Sequence, residues 1–308
     1  MPNEAIEPQR SPQTSENHSA TAGAPRFSGN SSQQAPPVNT RKQVRRYARK
    51  VSKRLLALIV LGYISIPLLM TYLVAGIYDV VRHRRDLFAI AHQYFLQNGT
   101  LTWFFSPLNL LVELLCLPFV NKMIYRLEDL PIRYHDEIRE VTESCPAAEI
   151  IAEVERRRGV DERTMLLYKW YGVNNPGLTK NYFQKDYKYV ITVGVSTFRK
   201  QTKTDSHFGW LRAGIRVLYN IDPADDPGAY IVVNGVRHTW STDGPLFIFD
   251  DTVIHQSFNL TDADRHCLFI DVVRPSYVFF LVKGVIQLLG LISTRVPYAR
   301  GSSNWRLI

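Results

Sequence analysis

The sequence predicts an all-β catalytic core of the jelly-roll kind, with flanking helices and an N-terminal transmembrane helical region. Three observations predict it. From Tyr187 onward, short β-branched and aromatic runs alternate with turn residues, the pattern of a sandwich or barrel. Asn234-Gly235 lies between two such runs, Ala229 to Val233 and Val236 to Trp240, a strong two-residue hairpin signal. Upstream, Leu55 to Tyr78 carries no formal charge and is longer than the roughly 20 residues a helix needs to cross a bilayer.

The 308 residues have room for one catalytic domain with appendages. Residues 1–40 are rich in Ser, Pro, Gln, Asn and Thr with few large apolar side chains, so they are expected to form a disordered tail. The net charge of +9 is concentrated in Arg41, Lys42, Arg45, Arg46, Arg49, Lys50, Lys53 and Arg54. Placed directly before an uncharged run, that block faces anionic lipid headgroups rather than nucleic acid. Leu55 to Tyr78 follows as the expected transmembrane helix, with Pro67 as a kink. A second apolar stretch, Trp103 to Val120, is interrupted by Pro107, Glu113 and Pro118 and is either the return arm of a hairpin or a re-entrant element. Arg82, Arg84 and Arg85 in the connection leave the topology open. Residues 41–124 thus read as a basic juxtamembrane segment with membrane-anchoring helices.

Glu128 to about Arg163 is charged and helix-like. The core, 125–280, then reads as strands at Tyr187–Thr197, Ile215–Ile221, the hairpin, Pro245–Asp250 and Arg265–Val273, ending at Arg274-Pro275. Alternation puts Arg216, Leu218 and Asn220 on one strand face. Residues 281–308 read as an amphipathic or interfacial segment, since Tyr277 to Ile292 is apolar apart from Lys283 and Gln287; lipid and the protein's own core are both open as its partner. Cys116, Cys145 and Cys267 fit neither a disulfide framework nor a zinc site.

A constellation carries the chemistry: Ser196, His207 with Gly209, Arg216, and His255 followed by Arg265. Neutral imidazoles suit Fe(II), and a planar guanidinium on a stiff strand suits a bidentate carboxylate, so these residues suggest iron beside a dicarboxylate pocket. His255 follows Phe249-Asp250-Asp251 and precedes the polar loop Asn259–Asp264, a strand rim where sites are built. Arg265 opens an otherwise apolar strand, and a buried guanidinium requires an anion: the co-substrate, or else Asp271 or Asp250. Asp250 and Asp251 read as turn or supporting residues, and His83, His92, His135 and His238 as surface or structural ones.

The stretches Gly244-Pro-Leu-Phe-Ile-Phe-Asp-Asp-Thr-Val-Ile-His255 and Arg265-His-Cys-Leu-Phe-Ile-Asp-Val-Val-Arg-Pro275 resemble the aspartyl/asparaginyl β-hydroxylase family, 2-oxoglutarate-dependent oxygenases on a double-stranded β-helix. Leu167-Tyr-Lys-Trp-Tyr-Gly172 resembles a segment of its bacterial membrane-bound branch, which hydroxylates acyl chains of lipid A and related lipids. The resemblance covers roughly 125–280. It implies that His207 and His255 bind Fe(II), that Arg265 with Ser196 holds the distal carboxylate of 2-oxoglutarate, that Arg216 approaches the metal-proximal carboxylate, and that dioxygen is the oxidant.

Two residues depart from the pattern. Leu218 stands where family members commonly have His. Gly209 stands where many iron oxygenases have the Asp of a two-histidine, one-carboxylate triad, although the animal members of the family also have Gly. The expected function is a membrane-anchored dioxygenase that hydroxylates an acyl chain of a membrane lipid. Its catalytic domain is expected on the cytoplasmic side, where 2-oxoglutarate is pooled, with no nucleic-acid partner. A peptide or protein substrate, and an inert membrane scaffold motivated by Gly209 and Leu218, are the alternatives.

Overall fold

The computed structural model describes residues 40–178, 180–222, 225–295 and 306–308; the tail expected over 1–40 lies outside them, Thr40 excepted. The strands are β1 (Ile124–Tyr125), β2 (Arg163–Trp170), β3 (Val173–Asn174), β4 (Val190–Phe198), β5 (Thr202–Lys203), β6 (Gly214–Asn220), β7 (Ala229–Val233), β8 (Val236–Thr239), β9 (Leu246–Phe249), β10 (His255–Asn259), β11 (Arg265–Val273) and β12 (Arg306–Leu307). The larger sheet runs β1-β9-β6-β11-β4-β2-β12, with β3 on β2, and the smaller runs β5-β10-β7-β8. Pairing is antiparallel throughout except for β12 on β2. Two sheets of non-sequential strand order, between which the chain crosses from β4 to β5, β5 to β6, β6 to β7, β8 to β9, β9 to β10 and β10 to β11, fit the expected double-stranded β-helix.

Side-chain alternation divides the apolar residues into two cores. Val193, Val195, Val217, Ile248, Leu268 and Ile270 turn outward to Tyr134, Ile138, Ile150, Phe279 and Ile286 of the covering helices. Leu218, Ile231, Val233, Trp240, Phe247, Phe249, Cys267 and Phe269 fill the space between the sheets. The face of β6 that carries Arg216 and Asn220 is therefore the inner one. Asn234 and Gly235 have φ of 47° and 74°, the positive pair that a tight I′ hairpin turn requires.

The helices are α1 (Thr40–Ile64), α2 (Ile66–Val81), α3 (Leu87–Leu96), α4 (Thr100–Phe104), α5 (Ser106–Leu115), α6 (Ile132–Glu143), α7 (Ala147–Arg158) and α8 (Phe279–Arg295). The transmembrane helix expected over Leu55–Tyr78 is corrected here. Among the described residues no helix is long and apolar enough to cross a membrane. The run breaks at Ser65, whose backbone is extended and whose hydroxyl accepts the Leu68 amide, with Pro67 in the first turn of α2. Proline clashes with a preceding helical turn and lacks the N–H to continue it, while a serine cap stabilises the restart.

The stretch Trp103–Val120 also resolves into short pieces. Helix α5 turns Asn109, Val112 and Glu113 inward, with Glu113 bonded twice to Arg274 at 2.8 Å. Helix α8 packs one face on the protein's own core, with Phe279, Val282 and Ile286 buried in the outer core, while Phe280, Leu281, Leu288 and Leu291 are exposed. Residues Tyr47–Ile308 form one compact unit.

β1, β2, β3, β5, β10 and β12 have no counterpart in the sequence reading, and β4 differs at its start. β2 was not expected, because its run follows directly on a charged helical stretch. β4 begins at Val190 rather than Tyr187, because the Glu137 carboxylate of α6 accepts the amides of Lys188, Tyr189 and Val190. The three cysteines are free.

A two-histidine candidate active site

His207 follows β5, and His255 opens β10. They face each other through a backbone bridge, His207 N–H donating to His255 O at 3.0 Å and the reverse at 2.9 Å. Their rings lie 4.2 Å apart, centroid to centroid. Nδ1 of His207 is 2.7 Å from Asp205 O, and Nδ1 of His255 is 2.8 Å from Val253 O. A carbonyl only accepts, so each Nδ1 carries the proton and each Nε2 keeps a free lone pair, the arrangement that orients a metal-binding histidine. Burial lowers the pKa of both rings, and for His255 the neighbouring His207 lowers it further. Both are thus neutral at physiological pH, as metal ligation requires.

The space beside Gly209 is already filled. A Cβ at that position would lie 1.9 Å from Asp251 Oδ2 and 2.8 Å from Asp251 O. The volume that a side chain at position 209 would need is therefore held by the carboxylate of Asp251, whose Oδ1 is 3.6 Å from His255 Nε2 and 3.3 Å from Arg216 Nη1. Among the described residues no group of three or more His, Cys, Asp or Glu side chains is arranged to hold a metal ion. The candidate donor set is the imidazole pair, with Asp251 beside it. Asp250 points elsewhere, bonded to Arg82 and the Thr252 hydroxyl. Burial would raise its pKa, but Arg82 and Arg212 outweigh that and hold it well below the usual carboxylate range.

The two arginines differ in their partners. Arg216 Nε is 2.6 Å from Asp271 Oδ1. With Asp271 taken by Arg216, and Asp250 by Arg82 and Arg212, neither carboxylate left open for Arg265 pairs with it. Arg265 is 3% exposed, and its Nε and Nη1 are buried without a hydrogen-bond partner. Its guanidinium carbon stands 4.4 Å from the Phe198 ring and 5.5 Å from that of Trp240. Burial lowers its pKa.

A guanidinium held in this way needs an anion, and the carboxylate of a keto-acid fits by charge and by fork geometry. Ser196 is two residues from Phe198 on the same inner face, its hydroxyl donating to Cys267 O at 3.2 Å. Leu218 is 9% exposed among Phe247, Phe249 and Phe269, so the family's histidine position is here part of an apolar wall.

Residues 177–275 match the family model for aspartyl/asparaginyl beta-hydroxylase. The matched segment includes Ser196, His207, Arg216, His255 and Arg265 and leaves α1–α7 before it. This match is a likeness to the hydroxylase family over the segment that carries the two histidines and both arginines. None of the curated proteins matches the chain.

Similar solved structures include the Schizosaccharomyces pombe Cnp3 cupin domain, at 12% identity and a TM-score of 0.24, covering 29% of this chain and 59% of that one. They also include the Cupin_2 domain of an XRE family transcriptional regulator from Enterobacter cloacae, at 11% and 0.26, covering 36% and 96%. A third is a salicylate 1,2-dioxygenase from Pseudaminobacter salicylatoxidans, at 14% and 0.26, covering 50% and 37%. Overlaps this slight leave the fold reading resting on strand order itself.

Asp251 is the residue that sequence reasoning undervalued. Its position one helical turn's length before His255 was visible in the chain. That it fills the place beside Gly209, contributed by a different segment, was not.

Proposed function

We propose that this chain is an Fe(II)/2-oxoglutarate-dependent hydroxylase acting on an acyl chain at a membrane surface. The observation that carries the reading is the pairing of two neutral imidazoles, Nε2 free, with a buried guanidinium that has no carboxylate of its own. His207 and His255 would hold the iron. Arg265, with Ser196, would receive the distal carboxylate of the keto-acid, and Arg216, already oriented by Asp271, would lie toward the proximal one. Asp251 would accept a hydrogen bond from water beside the imidazoles, supplying nearby the negative charge that Gly209 does not. Iron with 2-oxoglutarate supplies the oxidising power, consuming dioxygen, releasing succinate and carbon dioxide and leaving one oxygen atom on the substrate. Leu218, Phe247, Phe249 and Phe269 line the inner space with apolar surface, which excludes water from the reacting centre.

The lipid part of the reading is supported by the surface of the helices and by the Lys169-Trp170-Tyr171-Gly172 resemblance. Tyr63 is 93% exposed, Ile59 and Ile66 68%, and Phe280 77%, while Arg49, Lys50 and Lys53 are exposed on α1. Apolar side chains beside a cationic stretch suit embedding at the surface of an anionic bilayer on its cytoplasmic side.

The test is incubation of the purified protein with Fe(II), 2-oxoglutarate and vesicles of bacterial lipid extract. Succinate release should accompany a lipid mass gain of one oxygen, and His255→Ala should abolish both. Wild-type protein that binds neither Co(II) nor 2-oxoglutarate would overturn the enzyme reading in favour of a scaffold. Turnover with a peptide and none with lipid would overturn the lipid reading alone.

A further inference from the structure

The segment that ends in His255 is gripped from behind by the end of α2, which lies far outside the matched family segment. Arg82 Nη1 donates to Asp250 Oδ2 at 2.8 Å and its Nη2 to the Thr252 hydroxyl at 2.6 Å. His83 Nδ1 donates to Asp79 O at 2.8 Å, which fixes the proton there and leaves Nε2 to accept the Ile254 amide at 3.2 Å. The His83 ring also stands edge-on to Phe208, the residue after His207, at 5.7 Å. Asp79 in turn is bonded to Arg212 and, at 2.6 Å, to the Tyr94 hydroxyl. Asp79 and His83 are each 2% exposed.

The contacts alternate along the segment. Residues 250, 252 and 254 are held by Arg82 and His83, while 251, 253 and 255 present the carboxylate beside Gly209, the carbonyl that orients the second imidazole, and that imidazole itself. We infer that Arg82 and His83 are positioning residues for the metal-binding segment, acting through the backbone of Asp250 to Ile254. Neither touches the reacting atoms. This inference rests on the proposed metal site. Outer contacts that fix ligand orientation commonly change metal affinity by about 10- to 100-fold. A buried ion pair and a histidine acceptor supplied by an upstream helix would thus make metal affinity depend on α2.

The experiment compares His83→Phe, which keeps a ring and loses the acceptor, with His83→Gln, which keeps an acceptor, and with Arg82→Lys, which keeps the charge and loses one arm. Co(II) is titrated by calorimetry into each full-length, metal-free protein, and amide exchange is followed across 250–255. H83F and R82K are expected to weaken Co(II) binding about 10-fold or more and to speed exchange at Ile254, while H83Q stays within about 3-fold of wild type. A lower melting temperature with Co(II) affinity and Ile254 exchange unchanged would overturn the inference and leave the contacts merely structural. If H83F does not melt cooperatively, R82K against wild type decides. Wild-type protein that fails to bind Co(II) counts against the proposed function instead, and Ile254 exchange in the metal-free variants still decides the positioning role.

Discussion

Arg265 has been left without a partner by its own neighbours. Ordering a buried charge with no counter-ion costs several kcal/mol, and here that cost falls on the first residue of β11, set against Phe198 and Trp240. Arg265→Met should therefore have two opposite effects. Affinity for 2-oxoglutarate, read by calorimetry on the Co(II)-loaded protein, should fall by about 100-fold or more, while the ligand-free protein should melt higher by an amount worth about 1–3 kcal/mol. Gly209 and Asp251 make a second paired case. Gly209→Asp alone should be strongly destabilising, since its Cβ would meet Asp251 Oδ2 at 1.9 Å, in a turn too packed to yield. Asp251→Gly alone should weaken Co(II) binding about 10-fold. The double variant G209D/D251G loses the side-chain clash but keeps the 2.8 Å approach to the backbone oxygen of residue 251, so it should melt above Gly209→Asp and below wild type.

At the scale of elements, the β7–β8 hairpin and the broken α1–α2 run show the same local chemistry with different consequences. Asn234-Gly235 makes its turn as its sequence dictates. A Cβ on Gly235 would stand 1.6 Å from Arg85 Nη1, which donates to Asn234 O at 2.8 Å. Gly235→Ala should thus cost about 1–2 kcal/mol, from the positive φ and the displaced arginine together, a loss that chemical unfolding would measure. In the α1–α2 run, local signals were also present as Ser65 and Pro67, but an uncharged stretch favours a long helix only while its interruptions are ignored. The hairpin was legible because two residues decide it. The break was less so because it depends on what packs behind: Asp79 and His83, just past the expected span, are buried, and Arg82 between them is bonded to Asp250 and Thr252.

Over the whole molecule, buried ionisable groups tie the helices to the barrel and set its response to acid. Burial, aided by the charge of Arg82, pushes His83 down to about 4 from 6.5. The unfolded chain takes up this proton below about 6.5 while the folded protein does not until about 4. Its stabilising contribution is therefore complete above pH 6.5 and is lost as the pH falls through that window, by up to about 3 kcal/mol. Asp250, held well below its usual 3.8, adds a further loss only below that value. Melting temperature measured from pH 7.5 to pH 4 should decline across the histidine window, and a flat profile would contradict the buried neutral ring. His83→Gln should remove its share of the decline while keeping the acceptor, leaving the share that the lowered pKa values of His207 and His255 contribute.

The sequence by itself determined β4, β6, β7, β8, β9 and β11 to within a few residues, the inner face of β6, the hairpin, and the choice of two histidines and two arginines as candidates, because each depends on alternation, turn chemistry or a side chain's own chemistry over a few residues. The span of β11, Arg265–Val273, is as the sequence reading placed it. Only the tertiary structure decided which carboxylate each arginine takes, that Asp251 fills the space beside Gly209, that an apolar run is two helices, and that α2 holds the loop before His255. Each of these joins segments distant along the chain, such as Arg82 with Asp250 or Arg216 with Asp271. Pairing energies between buried charges depend on distance and burial, which local sequence does not encode.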